Sequence, residues 1–229
     1  MKKLYVLHGW SYTVKKWKEF LKILEKNKVE YVLLKIPGLT EKLDRVWTID
    51  DYALWLNEKI GSEPSILLGH SNGGRIALYF SLCYPNLVDK LILIDSAGIY
   101  HREFFLQLKK MIFQTLAKAG KKVTISPVLK KLLYRLARTK DYLETSGSTK
   151  ETMLNLISID LTNKLEKISS PTLIIWGEKD RITPLSDGRL MSEKIKQAKI
   201  HVIKSAKHSP QFTHPEETAQ QIISFLKVL

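Results

Sequence analysis

Residues 65–77 read Ser65-Ile66-Leu67-Leu68-Gly69-His70-Ser71-Asn72-Gly73-Gly74-Arg75-Ile76-Ala77, an apolar run broken by glycines and one serine and then resumed in a helical pattern. The apolar half reads as a buried strand, and Ile76, Ala77 and Phe80 read as the inner face of a helix packed on it. Within this stretch lies G-x-S-x-G, as Gly69-His70-Ser71-Asn72-Gly73. A serine on a sharp strand-to-helix turn needs small neighbours, because the backbone is strained and the flanking segments pass close together. Such a turn lifts the hydroxyl out of the sheet and aims the free N–H groups of the helix start at any oxyanion that forms there. Ser71 is therefore the candidate nucleophile.

Outward from this turn the pattern repeats in both directions. Toward the N-terminus, Leu4 to Leu7 is a short strand ending in His8-Gly9-Trp10, and Trp17, Phe20, Leu21 and Leu24 mark one face of a lysine-rich helix. Val29 to Ile36 predicts a second strand closed by Pro37-Gly38, and Thr48 predicts an N-cap for a helix through about Lys59. Toward the C-terminus, Lys90 to Ile94 is a fourth strand, Pro171 to Trp176 a fifth and Lys199 to Ile203 a sixth. Helices are predicted from about Pro184 to Gln197 and from Pro215 to Val228. Strands alternating with helices require a mostly parallel sheet with helices on both faces. The exception is the interval after the fourth strand. From Ile99 to about Leu165 the pattern is helical, and about 65 residues is too long for a bare loop. The expected organisation is a core of residues 1–98 and 166–229, with residues 99–165 inserted as a helical cap, or lid.

Composition narrows the class. Of 229 residues 44% are hydrophobic and 26% charged, which excludes wholesale disorder and fits one large α/β domain. The single cysteine, Cys83, rules out an intramolecular disulfide and is expected as a small buried residue in a reducing compartment. No run reaches the length of a membrane span, and the apolar run after Lys2-Lys3 is too short for a signal peptide, so a cytoplasmic location is expected. The net charge of +14 is concentrated, with 13 Lys/Arg against 5 Asp/Glu between Ile99 and Leu165. No nucleic-acid-binding motif accompanies it, which leaves a solvated lysine-rich surface, attraction of anionic substrates, or contact with an anionic membrane surface.

A serine hydroxyl is a weak nucleophile and needs an imidazole to take its proton and a carboxylate to fix the imidazole's tautomer. In an open parallel sheet the ligands gather at the carboxyl ends of the strands. Of six histidines, His208 follows the last strand at that edge, whereas His214 adjoins the closing helix, His101 lies in the insertion and His201 sits mid-strand. His8 and His70 are neighbours of the reacting groups in sequence and are expected to point away from them. Asp180 follows the fifth strand, with Glu178 on the same loop and Asp95 after the fourth strand as alternative acids. The order Ser71, Asp180, His208 matches the order a nucleophile elbow expects of its partners. Backbone N–H groups of Asn72 and Trp10 are the candidate oxyanion donors.

Taken together, Leu7-His8-Gly9-Trp10, Gly69 to Gly74, Trp176-Gly177-Glu178-Lys179-Asp180-Arg181-Ile182-Thr183-Pro184 and His208-Ser209-Pro210 resemble the α/β-hydrolase superfamily, in its serine-nucleophile branch with a helical cap. The resemblance implies a triad of Ser71, Asp180 and His208, and no metal or organic cofactor. The chain opens at what resembles the family's third strand, which implies a six-stranded sheet without the first hairpin. It departs from the family at Lys35, Leu39-Thr40, Lys207 and Thr213, none of them a triad position.

The expected activity is hydrolysis of carboxylic esters of small or medium acyl groups through an acyl-enzyme. Lactone, thioester or C–C bond hydrolysis would use the same parts, and a ligand-binding or receptor-like protein could use the same fold. Phe104, Phe105, Leu108 and Met111 recur at helical spacing and either pack the cap on the core or line an acyl pocket. Lys130, Lys131, Arg135 and Arg138 form a basic face that leaves weak contact with anionic lipid open.

Overall fold

The structure is a computed structural model that describes residues 2–9, 14–103 and 147–227. The quoted stretch forms the centre of it. Strand β3 (Ser65–His70), every residue of it buried, runs into helix α3 (Asn72–Cys83) with only Ser71 between them. Around it lie β1 (Leu4–Leu7), β2 (Tyr31–Leu33), β4 (Val88–Ile94), β5 (Thr172–Gly177) and β6 (Ala198–Ile203). The six strands form one sheet in the order β2-β1-β3-β4-β5-β6, and every pairing is parallel.

The period-two alternation of the strands divides the core in two. Leu4, Val6, Ile66, Leu68, Ile92, Ile94, Leu173 and Ile175 face one side, where α1 (Val14–Lys26) and the closing helix pack with Trp17, Phe20, Leu21 and Ile222. Leu7, Leu67, Leu91, Leu93, Ile174 and Trp176 face the other, against α2 (Ile49–Ile60) and α3 with Tyr52, Leu56, Ile76 and Phe80. A sheet covered on both faces needs near-continuous apolar strands, which is what β3 to β5 supply.

After β4 the described chain resumes as α4 (Gly147–Ser158) and a 3-10 turn (Thr162–Lys167) before β5. Helix α4 is fastened to the loop before α2, because Trp47 N–H donates to Thr152 Oγ1 at 2.8 Å and Asn155 Nδ2 donates to Trp47 O at 3.2 Å. The expected cap boundaries, 99–165, enclose residues 104–146, which lie outside the described residues. Beyond β5 come α5 (Leu185–Lys194), α6 (Pro210–Thr213) and α7 (Pro215–Lys227). No described helix is long and apolar enough to cross a membrane.

Two local expectations need correction, and one short element was not foreseen. The second strand spans three residues rather than Val29 to Ile36, because it is an edge with one neighbour and its chain turns at Ile36 to Glu41. The one-turn helix α6 is too short to announce itself by periodicity. Cys83 is exposed, not buried: it ends α3 at the far side from Ser71, where the helix leaves the sheet.

Candidate active site

The turn between β3 and α3 holds Ser71 at φ 55°, ψ −122°, a conformation that side chains disfavour. Its backbone is fixed on both sides: Ser71 N–H donates to Ile94 O at 3.2 Å, and Ser71 O accepts from Ala97 N–H at 2.9 Å. The glycines are required by contact. A Cβ on Gly73 would lie 2.1 Å from Leu7 O, and one on Gly9 would lie 2.8 Å from Ser71 Cβ. Strand β1 and the elbow thus touch through bare backbone. Asn72 is the first residue of α3 and is buried, so its N–H belongs to the unpaired set at the helix start.

The loop after β5 carries Asp180, and the loop after β6 carries His208. Both are buried, and His208 Nδ1 meets Asp180 Oδ2 at 2.7 Å, 28 positions apart in the chain. The other oxygen of Asp180 accepts from Ile182 N–H at 2.8 Å and Thr183 N–H at 3.3 Å. Two main-chain donors and the imidazole thereby hold the carboxylate in one orientation.

Sequence reasoning missed the role of Thr183. Its Oγ1 lies 2.7 Å from Asp180 Oδ2, 3.1 Å from Asp95 O and 3.3 Å from His208 Nδ1. A single hydroxyl therefore ties the β4, β5 and β6 loops together. The signal was the spacing Asp-x-x-Thr, in which a side chain three positions on can return to the acid.

Asp95, the alternative acid, is fully buried at φ 42°, and the carboxylate 2.7 Å from His208 Nδ1 is that of Asp180. The two oxygens of Asp95 accept from Gly177 N–H and Ser209 N–H, each at 2.8 Å, which joins the ends of β4 and β5 to the residue after His208. Burial first, and the negative charge of Asp180 second, push its carboxyl up to about 7, against the opposing pull of His208 and the two N–H donors. Glu178 is drawn away from the site, to Ser205 N–H at 2.9 Å.

The histidines separate by environment. The His70 ring was expected to point away, but it packs beside His208 with ring centroids 5.0 Å apart and meets Trp17 edge-on. His8 is buried, and its Nδ1–H donates to Gly9 O at 2.8 Å while Nε2 lies 3.2 Å from Thr40 Oγ1. Burial lowers its pKa, favouring the neutral ring. His101 pairs with Asp187 at 2.8 Å and His201 with Glu217 at 2.9 Å. His70, Asp95 and His208 each bring a potential metal-binding atom within 4.8 Å of the others. Both Asp95 oxygens and His208 Nδ1 are already committed to hydrogen bonds, so the cluster reads as part of the hydrogen-bonded site. Trp10, the second expected oxyanion donor, and Phe104, Phe105, Leu108 and Met111, the expected pocket residues, lie outside the described residues.

Comparison with known proteins agrees with this architecture. The chain is 24% identical to the monoacylglycerol lipase ABHD6 of Homo sapiens over 254 residues, covering 96% of this chain and 74% of that protein. It is 29% identical over 189 residues to a 2-hydroxy-6-oxononadienedioate/2-hydroxy-6-oxononatrienedioate hydrolase of Paraburkholderia phymatum, covering 74% and 64%. Among solved structures, a membrane phospholipase A described as a bacterial virulence factor superposes with a TM-score of 0.75 at 26% identity, covering 98% of this chain and 78% of that one. A thermophilic esterase from Thermogutta terrifontis shares the fold at a TM-score of 0.75 and 20% identity, covering 99% and 90%. The family model described as alpha/beta hydrolase fold matches residues 3–215, nearly the whole chain, and the protein belongs to that family of hydrolases.

Proposed function

We propose that this protein hydrolyses carboxylic esters, with Ser71 as nucleophile, His208 as general base and then acid, and Asp180 as the group that orients His208. Ser71 Oγ attacks the ester carbonyl as its proton passes to His208, and the tetrahedral oxyanion is met by the N–H groups of Asn72 and Trp10. The C–O bond to the alcohol then breaks, with His208 returning the proton to the leaving oxygen. A water molecule, deprotonated by the same imidazole, attacks the acyl-enzyme, releasing the acid and restoring Ser71. The net change is ester plus water to acid plus alcohol, with no redox step.

The observation that carries this reading is the buried 2.7 Å contact between His208 and Asp180, with the His208 ring 5.0 Å from that of His70, the residue before the strained Ser71 turn. The ester-cleaving names among its relatives add support at the family level. A panel of p-nitrophenyl esters from acetate to decanoate tests it, with Ser71→Ala as control. The expected result is turnover that Ser71→Ala reduces by about 10⁴-fold or more, together with rapid labelling of the wild-type protein by a fluorophosphonate. Absence of both would leave a ligand-binding protein on a hydrolase scaffold.

A second reading, cleavage of a C–C bond in a vinylogous diketone, is favoured by the relative from Paraburkholderia phymatum. It uses the same residues and is separated from ester hydrolysis by turnover of a 2-hydroxy-6-oxodienoate that exceeds turnover of any ester.

A further inference from the structure

Asp180 has a buried neighbour that the proposed reaction does not use. Asp95 follows the last residue of β4, the strand that separates β3, which leads to Ser71, from β5, which leads to Asp180. No part of it is exposed.

The loops after β5 and β6 are joined near their bases, where Glu178 N–H donates to Ile203 O at 3.0 Å and Lys179 N–H donates to Ala206 O at 2.8 Å. These bonds stop short of His208. The peptide that joins His208 to Ser209 is held by Asp95, whose Oδ2 accepts the Ser209 N–H at 2.8 Å while Oδ1 accepts the Gly177 N–H at 2.8 Å. Ser209 takes up φ 130°, a conformation that a residue with a side chain keeps only where its surroundings impose it. Thr183 adds a further tie, its hydroxyl 3.1 Å from the main-chain oxygen of Asp95 and 2.7 Å from Asp180 Oδ2.

An ionised carboxylate suits this place because it offers an acceptor to each N–H. A carboxamide or a protonated acid puts a donor on one of the two sites. Ionisation also sets a negative charge near the base. His208 and His70 each bring a potential ligand nitrogen within 4.8 Å of an Asp95 oxygen. Burial and the charge of Asp180 push the Asp95 carboxyl up to about 7, and His208 pulls it the other way. Asp187, in the first turn of α5, also feels the charge of Asp180 and is paired with His101 at 2.8 Å. The attraction between Asp95 and His208 is mutual, so ionised Asp95 favours the imidazolium that His208 becomes when Ser71 gives up its proton.

We infer that Asp95 is a positioning residue for the base: its ionised carboxylate fixes the His208–Ser209 peptide against the end of β5 and adds a second negative charge to that of Asp180 in stabilising the His208 imidazolium. The inference rests on His208 being the general base and adds to that reading a residue outside the triad.

The test measures Asp95→Asn, a substitution that keeps the shape of the side chain and tolerates a φ of 42°. On a p-nitrophenyl ester kcat is expected to fall by about ten- to a hundredfold, the size of one hydrogen bond to a charged acceptor, with KM changed by less than about twofold. The acid limb of kcat/KM, which reports the base in the free enzyme, should move to lower pH by about one unit. Both routes of protonation give that sign. Ionised Asp95 makes the imidazole hold a proton more tightly, and a proton taken up by Asp95 itself also ends the active form. Asp95→Asn has neither route. A fall in kcat with the acid limb unmoved would overturn the inference, leaving Asp95 as a structural tie alone. Activity equal to that of wild type would overturn it as well.

If no ester shows Ser71-dependent turnover, the hydrolase reading fails by itself, and NMR titration of the His208 ring still decides the role of Asp95. Its midpoint should be lower in Asp95→Asn than in wild type, and equal midpoints would refute the role. If Asp95→Asn does not fold, the wild-type protein is enough. Its Gly177 and Ser209 amide protons, both bonded to Asp95, should shift together with the His208 ring as pH is lowered from about 9 to about 5. Amide shifts that stay level while the ring titrates would refute it.

Discussion

Ser71, Asp95 and Ser209 each hold a positive φ without being glycine, and they stand on three loops at one edge of the sheet. Each such conformation costs on the order of 1–3 kcal/mol, and it persists only where surrounding contacts over-determine it. At Asp95 the contacts are the two main-chain donors, Gly177 N–H and Ser209 N–H. Its carboxyl lies above the ordinary carboxylate range, at about 7, so the folded protein holds a proton there that the unfolded chain has released. The stability linked to that proton is fully present below about pH 4 and is lost as pH rises toward 7. Asp95→Asn stays neutral but can accept only one of the two N–H bonds, which costs about 1–3 kcal/mol. The gap in Tm between wild type and Asp95→Asn should therefore be wide at pH 5 and narrow by pH 8, as thermal unfolding at the two pH values would measure. A gap of constant width would mean that Asp95 is ionised throughout.

At this scale the chain was partly readable. Ser71, Asp180 and His208 stand out as candidates because each follows a strand, and the structure brings Asp180 and His208 into contact. Thr183 does not, and Asp95 is legible only as an alternative acid, because their hydrogen bonds come from neighbours that approach only in three dimensions.

The elements were more legible than their ends. Helix α2 is an instance in which even the end was readable, since Thr48 and Asp51 form a reciprocal cap. Asp51 N–H lies 3.3 Å from Thr48 Oγ1, and Thr48 N–H donates to Asp51 Oδ2 at 2.7 Å. Arg45 adds a second hold on Asp51 at 2.8 Å and helps to bring its carboxyl down to about 2. Thr48→Ala should cost about 1 kcal/mol, a fall in Tm of about 2–4 °C for a chain of this size. Calorimetric scanning would detect it, and an unchanged Tm would show that Arg45 and Asp51 hold the helix start without Thr48. Edge strand β2 was the opposite case. Its residues look like an extended run in sequence, but an edge strand is set by the length of its single neighbour, and Leu4 to Val6 pair with only three of its residues. Patterning reports burial, and burial is not the same as pairing.

For the whole molecule, the parallel sheet and its two apolar layers follow from the alternation of strand and helix, whereas the strand order is a product of how the crossovers pack. The order places β3 and β4 in the middle, so Ser71 follows a central strand, and Asp180 and His208 arrive from β5 and β6 on one flank. The excess positive charge acts at this scale too. Steering by a net +14 should raise kcat/KM for anionic half-esters at low ionic strength and fade as the screening length shrinks from about 10 Å at 0.1 M salt to about 3 Å at 1 M. A several-fold decline for half-esters, with neutral esters level across the same range, is the expected outcome of a kinetic salt series. Parallel behaviour of the two would assign the charge to solubility alone.

The lone thiol at the end of α3 has a practical use. Cys83 is exposed and is the chain's only cysteine, so a maleimide dye would attach at one known point without any engineering. That point lies 12 residues along a single rigid helix from the elbow serine, about 18 Å at 1.5 Å per residue. A fluorescent phosphonate on Ser71 would then form a donor–acceptor pair with it at a separation fixed by the backbone, an internal ruler against which a third chromophore elsewhere on the surface could be triangulated.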